Sequence, residues 1–194
     1  MHSDDDKRRI IALRGETGGE PMKKLVISTV VLCIVMMLAS FACKKGAAPS
    51  AVIGNRAPSF TITDIDGKKI SLGSMSGKVV VLDFWATWCA PCKASTRELE
   101  KLNEKYKDRN IVILGISMDE GKSAVERVKE FAGNNGLTYR MLIDDGLVSK
   151  AYSVRNIPAL FILDRQQRII KIYPGYLPDL GKMIENELDD LLKG

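Results

Sequence analysis

Val79-Val80-Val81-Leu82-Asp83-Phe84-Trp85 is an almost unbroken apolar run, and it leads directly into Trp88-Cys89-Ala90-Pro91-Cys92. Such a run predicts a strand covered on both faces. Beyond Cys92, Leu99, Leu102 and Tyr106 recur at helical spacing, with Glu98, Lys101 and Lys105 turned outward. The two cysteines therefore sit where a buried strand gives way to an amphipathic helix. A thiol at a helix N-terminus faces unpaired backbone N–H groups and the positive end of the helix dipole, both of which favour the reactive thiolate. Two intervening residues let the pair close into a disulfide and reopen. Pro91 suits the first helical turn, where its missing N–H costs nothing. A zinc site would need a second Cys or His pair. The only histidine is His2, far upstream. The Cys89–Cys92 pair is read as a redox centre, with no metal and no organic cofactor expected.

The N-terminal part bounds where this chemistry takes place. Lys23-Lys24 precede an uncharged, largely apolar stretch from Leu25 to Phe41, which meets Ala42-Cys43-Lys44-Lys45. Basic residues, an apolar stretch and small residues at its exit form the pattern of an export signal, and the stretch is short of the about 20 residues of a full span. Residues 22–42 are accordingly read as a signal peptide or membrane anchor. Ser40-Phe41-Ala42-Cys43 loosely resembles a bacterial lipoprotein processing site, with Ser40 where leucine is usual, and would leave Cys43 as the lipidated residue. Ordinary cleavage after Ala42 and an uncleaved anchor are the other two readings. Residues 1–21, charged and carrying Gly18-Gly19, do not belong to such a signal. They read as a mis-assigned start, with Met22 the true one and Gly18-Gly19-Glu20 encoding a ribosome-binding purine run, or as a tag suggested by Asp4-Asp5-Asp6-Lys7.

Residues 43–52, with glycine, alanines and proline, read as a tether, and residues 53–194 as one domain large enough for a single core. A net charge of +5 over the whole chain is too mild to argue for nucleic acid. Phe60–Thr63 and Lys69–Leu72, joined through Asp66-Gly67, predict an N-terminal hairpin. Strands are expected at Val79–Trp85, Ile111–Ser117, Arg140–Ile143, Leu160–Leu163 and Ile169–Tyr173. Helices are expected after Cys89, over Ser123–Asn134 with Val125, Val128 and Phe131 inward, over Leu147–Tyr152, and at the end with Leu180, Ile184, Leu188 and Leu191 inward. This α/β order implies a central sheet with helices on both faces.

From Ile53 to Leu192 the chain resembles the thioredoxin superfamily. Leu82 to Cys92 is similar to its active-site segment, and Ile157-Pro158 followed by Leu160-Phe161-Ile162 to its cis-proline loop and strand. Gly54 to Phe60, and the extra helix and strand between Lys122 and Asp144, are similar to the extracytoplasmic thiol-disulfide oxidoreductases of the TlpA and ResA type. The resemblance implies a thioredoxin-like fold, a mixed sheet with a central αβ insertion. It also implies protein disulfides as substrates and a role in reducing apocytochrome c before haem attachment; because an oxidising compartment drains a reductant of electrons, a membrane thiol donor is expected to recharge it. A monomer located outside the cytoplasm is expected.

By the same resemblance Cys89 is the attacking thiol, Cys92 resolves, and Asp83 lies behind them to move the proton. Trp88, Ala90, Pro91, Ile157 and Pro158 form the substrate-binding surface. Several positions depart from the pattern. Gly115 stands where thioredoxins place a lysine opposite the acid, Ala159 where threonine is common, and Ser95 where ResA-like reductases carry glutamate. Trp85 reads equally well as core or as contact surface. Lys93 reads as a solvated helix residue whose charge modestly favours the Cys89 thiolate. Asp119-Glu120 and Asp144-Asp145 lack the further ligand a calcium site needs. Two other classes stay open: a peroxiredoxin-like peroxidase, whose Pro-x-x-x-Thr-x-x-Cys segment is only partly echoed by Thr87 and Cys89, and a redox-inactive binding or chaperone module.

Overall fold

In the computed structural model of the chain, the described residues are 51–193 and, apart from them, Ser28. The start-or-tag segment, the signal or anchor apart from Ser28, Cys43 and most of the tether lie outside them. A hairpin of β1 (Thr61–Thr63) and β2 (Lys69–Ser71) comes first, and Leu72 opens a short 3₁₀ turn instead of extending the strand. There follow β3 (Val79–Trp85), α1 (Ala90–Lys105), β4 (Ile111–Ser117), α2 (Ala124–Asn134), β5 (Arg140–Ile143), α3 (Leu147–Ala151), β6 (Ala159–Leu163), β7 (Ile169–Pro174) and α4 (Leu180–Lys193). The main sheet runs β5-β4-β3-β6-β7. β3 pairs parallel with β4 and antiparallel with β6, so the sheet is mixed. The expected insertion is α2 with β5, and β5 adds parallel to β4 at the sheet's end.

Every residue of β3 is buried, because its alternate side chains enter two different cores. Val80, Leu82 and Phe84 face the hairpin, the 3₁₀ turn and α3. Phe84, Tyr152 and Phe161 meet there with ring centroids 5.1–5.6 Å apart. Val79, Val81 and Trp85 face α1, α2 and α4. Full burial of one such large side chain contributes about 1.5–3 kcal/mol, so both layers resist truncation of β3. Trp85 is fully buried against Phe131, with ring centroids 5.0 Å apart, which settles it as core.

The burial of α2 departs slightly from expectation. Ala124, Val128 and Ala132 are its fully covered residues, while Val125 and Phe131 are half-buried, because the helix lies close enough to the sheet to admit alanine at contact. α1 is fastened to α4 at its far end, where the Tyr106 hydroxyl donates to Asp189 Oδ1 at 2.6 Å and Lys105 pairs with Glu185. The near end of α1 is thus left as the site for chemistry. Among the described residues no helix is long and apolar enough to cross a membrane.

Candidate active site

α1 begins where β3 ends, and Cys89 is its N-cap residue, with Pro91 in the first turn. The Sγ of Cys89 accepts from the backbone N–H of Cys92 at 3.3 Å, so a helix N-terminal donor is aimed at the sulfur as the sequence predicts. Cys89 and Cys92 are joined as a disulfide. Cys89 keeps 5% exposure and Cys92 none. Around them Trp88 is 68% exposed, and Ala90 and Pro91 also face solvent. From the other side of the site comes the loop before β6, whose Ile157-Pro158 bond is cis. The carbonyl oxygen of Ile157 lies 3.9 Å from Cys89 Sγ, and Pro158 is buried beneath it. All the sequence-predicted site residues of the folded part except Asp83 therefore gather at the N-terminal end of α1. Lys93 is exposed, with Nζ 5.9 Å from the Phe131 ring centre.

Asp83 lies one layer deeper. It is on the α1 side of β3, fully buried, and neither carboxylate oxygen has a hydrogen-bond partner among the described residues. Burial alone pushes its pKa from an ordinary 3.8 to about 7, because desolvation penalises the charged form. An acid that titrates near neutrality can both take and return a proton there. Directly across the sheet, Asp83 is in register with Gly115 on β4 and Leu160 on β6. A Cβ at Gly115 would lie 2.6 Å from Met141 Sδ, 3.0 Å from Trp85 Nε1 and 3.1 Å from Tyr139 Cε2. A side chain there would have to displace the Met141 sulfur and press on Trp85 and Tyr139, so the packing as it stands is matched to glycine and not to lysine.

Three polar residues that the sequence reading did not single out for the site also shape it. Asp119, set aside as half of an acidic pair, accepts from the Thr87 N–H at 2.8 Å and the Thr87 hydroxyl at 2.6 Å, pinning the loop that carries Trp88. Ser117 donates to it at 2.8 Å and Arg127 Nε at 3.4 Å, which ties that loop to α2. Burial raises the Asp119 pKa, but these donors outweigh it and the net shift is downward. Glu100 on α1 accepts from the Thr138 N–H at 2.6 Å and holds the approach to β5. Tyr139 follows it into the core, its hydroxyl buried and without a hydrogen-bond partner among the described residues. Only their burial marks them, since their partners are distant in sequence. Among the described residues, no three His, Cys, Asp or Glu side chains are grouped so as to hold a metal ion.

The sheet order, the cysteine pair at the helix N-terminus and the cis-proline facing it define a thioredoxin-fold dithiol oxidoreductase. The AhpC/TSA family profile matches residues 53–172. The chain is 34% identical over 142 residues to the thiol-disulfide oxidoreductase ResA of Bacillus thuringiensis (strain Al Hakam), covering 73% of this chain and 77% of that one. Among solved structures, one assigned as the thiol:disulfide interchange protein DsbE from Chlorobium tepidum matches with a TM-score of 0.67 at 25% identity, over 73% of this chain and 98% of that one. The pneumococcal exposed lipoprotein thioredoxin from Streptococcus pneumoniae matches with a TM-score of 0.57 at 28% identity, over 68% and 98%. The chain belongs to the AhpC/TSA family within the thioredoxin superfamily, as a ResA-like thiol-disulfide oxidoreductase.

Proposed function

We propose that the chain is an exported, membrane-attached reductant of protein disulfides. The observation that carries this reading is the geometry around Cys89, a sulfur at a helix N-terminus flanked by exposed Trp88 and the Ile157 carbonyl. An extended client segment lies along the 157–158 backbone and against Trp88, with Ala90 and Pro91 beneath it. Cys89 thiolate attacks one sulfur of the client disulfide; the client's other sulfur leaves as thiolate, and a mixed disulfide forms. Asp83 takes the Cys92 proton, Cys92 attacks Cys89 Sγ, and the second client sulfur departs. The pair is left oxidised and must be recharged by a membrane thiol donor. No metal or organic cofactor takes part.

The direction rests on Pro91, which has neither charge nor N–H to offer the thiolate, so the reduced form gains little extra stability. Export rests on the Lys23-Lys24 and Leu25–Phe41 pattern, and attachment on Cys43, with the name of the pneumococcal relative in support. Clients include apocytochrome c in its disulfide form, whose reduction leaves the thiols that accept haem, a reading that rests on likeness to ResA alone. The protein works as a monomer.

When the gene is expressed from Met22, the product is expected in the membrane fraction with Cys43 as a lipidated mature N-terminus. Mass spectrometry of that terminus checks it. An unmodified residue after Ala42 would overturn lipid attachment, and recovery solely in the soluble fraction would overturn membrane attachment altogether.

A further inference from the structure

Five buried side-chain atoms have no hydrogen-bond partner among the described residues: both Asp83 oxygens, Trp85 Nε1, Ser95 Oγ and the Tyr139 hydroxyl. They are not scattered. Asp83 and Trp85 are two apart on β3 and share the face that packs under α1. Ser95 follows Cys92 by three on α1 and is buried with it. Tyr139 reaches the same layer from the strand approach beyond β4, its ring edge lying over Gly115 in the row that Asp83 occupies. Several polar groups without partners among the described residues, in the apolar layer under the helix that carries the redox pair, are a costly arrangement to keep without a use.

Asp83 must be served in two protonation states, since it takes a proton from Cys92 and gives it back. As a carboxylate it needs a donor, and as an acid it needs an acceptor. The Trp85 indole can only donate, and its ring is held against Phe131. A hydroxyl does both, and of the two in this layer the Tyr139 phenol is the one whose ring lies against Gly115, the partner of Asp83 across the sheet. Tyr139 also feels Asp83: after burial, the largest influence holding its phenol well above the ordinary range is the Asp83 charge, with Glu100 next. Glu100 is itself occupied, accepting from Thr138 and Tyr139 backbone N–H groups. Across the sheet Asp83 is flanked by the apolar Leu160 of β6 and by Gly115 of β4, which brings no side chain, and the Tyr139 ring edge lies beside that glycine.

We propose that Tyr139 is the positioning residue of the buried acid, its phenol donating to the ionised Asp83 carboxylate and accepting from the protonated one across the gap that Gly115 leaves. With the disulfide closed the two oxygens are unbonded, and the contact belongs to the reduced protein, where Cys92 carries a proton to exchange. Gly115 is then more than a packing relief. By admitting the tyrosine ring it lets a neutral group do what a cation would do, which keeps the Asp83 pKa near neutrality. The proposal rests on the reading that Asp83 exchanges the Cys92 proton.

Titration of the Asp83 carboxyl carbon by NMR in the reduced protein tests it, with Tyr139→Phe compared against the parent and against Ser95→Ala. Loss of a donor to the charged form is expected to raise the Asp83 midpoint by about one pH unit in Tyr139→Phe, while Ser95→Ala leaves it in place. The acid limb of the resolving step is expected to move by the same amount, and Tyr139→Phe is expected to add nothing once Asp83 is Asn. An unmoved or lowered midpoint in Tyr139→Phe, or a rate loss that adds to that of Asp83→Asn, overturns the proposal. A resolving step indifferent to Asp83→Asn instead overturns the proton-exchange reading, and the carboxyl midpoint still judges the contact with Tyr139.

Discussion

Replacing Cys92 with serine is expected to leave client proteins covalently bonded to Cys89, while replacing Cys89 with serine captures none. The asymmetry follows from exposure: Cys89 keeps a solvent-facing edge beside Trp88, whereas Cys92 has no accessible surface and meets only its partner sulfur and the core. A client disulfide can therefore reach Cys89 alone. Without Cys92 the mixed disulfide has no internal thiolate to break it and persists until an external thiol does so. Multiple-turnover disulfide reduction falls about a thousandfold or more in either variant, because the two sulfurs act as one unit. Non-reducing electrophoresis of the trapped species, followed by peptide mass mapping, reads the result. Clients attached through residue 92 in Cys89→Ser would reverse the assigned roles.

Asp83→Asn is expected to stabilise the oxidised protein at pH 8 and to slow it as a catalyst. Below about pH 4 the carboxyl is protonated in both the native and the unfolded chain and contributes nothing. Between 3.8 and about 7 the unfolded chain is ionised while the native one still holds the proton, so each rise in pH costs native stability. Above about pH 7 both states are ionised and the penalty is complete, with an upper bound of roughly 4 kcal/mol. Asparagine cannot ionise, although its amide is also buried, so a net gain of about 1–3 kcal/mol at pH 8 is expected, shrinking towards zero near pH 4. The resolving step is expected to slow by about a hundredfold at neutral pH, the ordinary scale of a lost general base. Urea denaturation across that pH range and single-turnover release of client check the two halves. A stability difference that does not change with pH would contradict a native pKa near 7.

Much of this was open to a reader of the sequence, for physical reasons that differ by residue. The unbroken apolar run Val79–Trp85 and the helical spacing of Leu99, Leu102 and Tyr106 are local patterns, and they fold as a strand buried on both faces and a helix with one buried face. Trp85 was undecidable because a strand buried on both sides carries no alternation from which to tell an outer face. The second strand ended a residue early because Leu72 serves the core equally well from a 3₁₀ turn. The cysteine pair declared itself by spacing, and Ile157-Pro158 through likeness to a known fold. Asp119, Glu100 and Tyr139 were not legible. Asp119 meets Thr87 from 32 residues away, and Glu100 meets Thr138 from 38, so no local pattern records either bond. Gly115 could be seen as a missing lysine, but the crowding by Met141, Trp85 and Tyr139 that makes glycine necessary exists only after three strands are side by side.

The direction of electron flow decides whether this oxidoreductase removes disulfides from its clients or inserts them. Strong oxidants of this fold over-stabilise their thiolate, and here Pro91 offers that thiolate neither charge nor N–H. Equilibration of the Cys89–Cys92 pair against graded ratios of reduced to oxidised glutathione measures the potential directly. A reducing value is expected, nearer the about −270 mV of thioredoxin than the about −120 mV of a strong oxidant. A potential above about −180 mV, the range of disulfide isomerases, would contradict the assignment as a reductant.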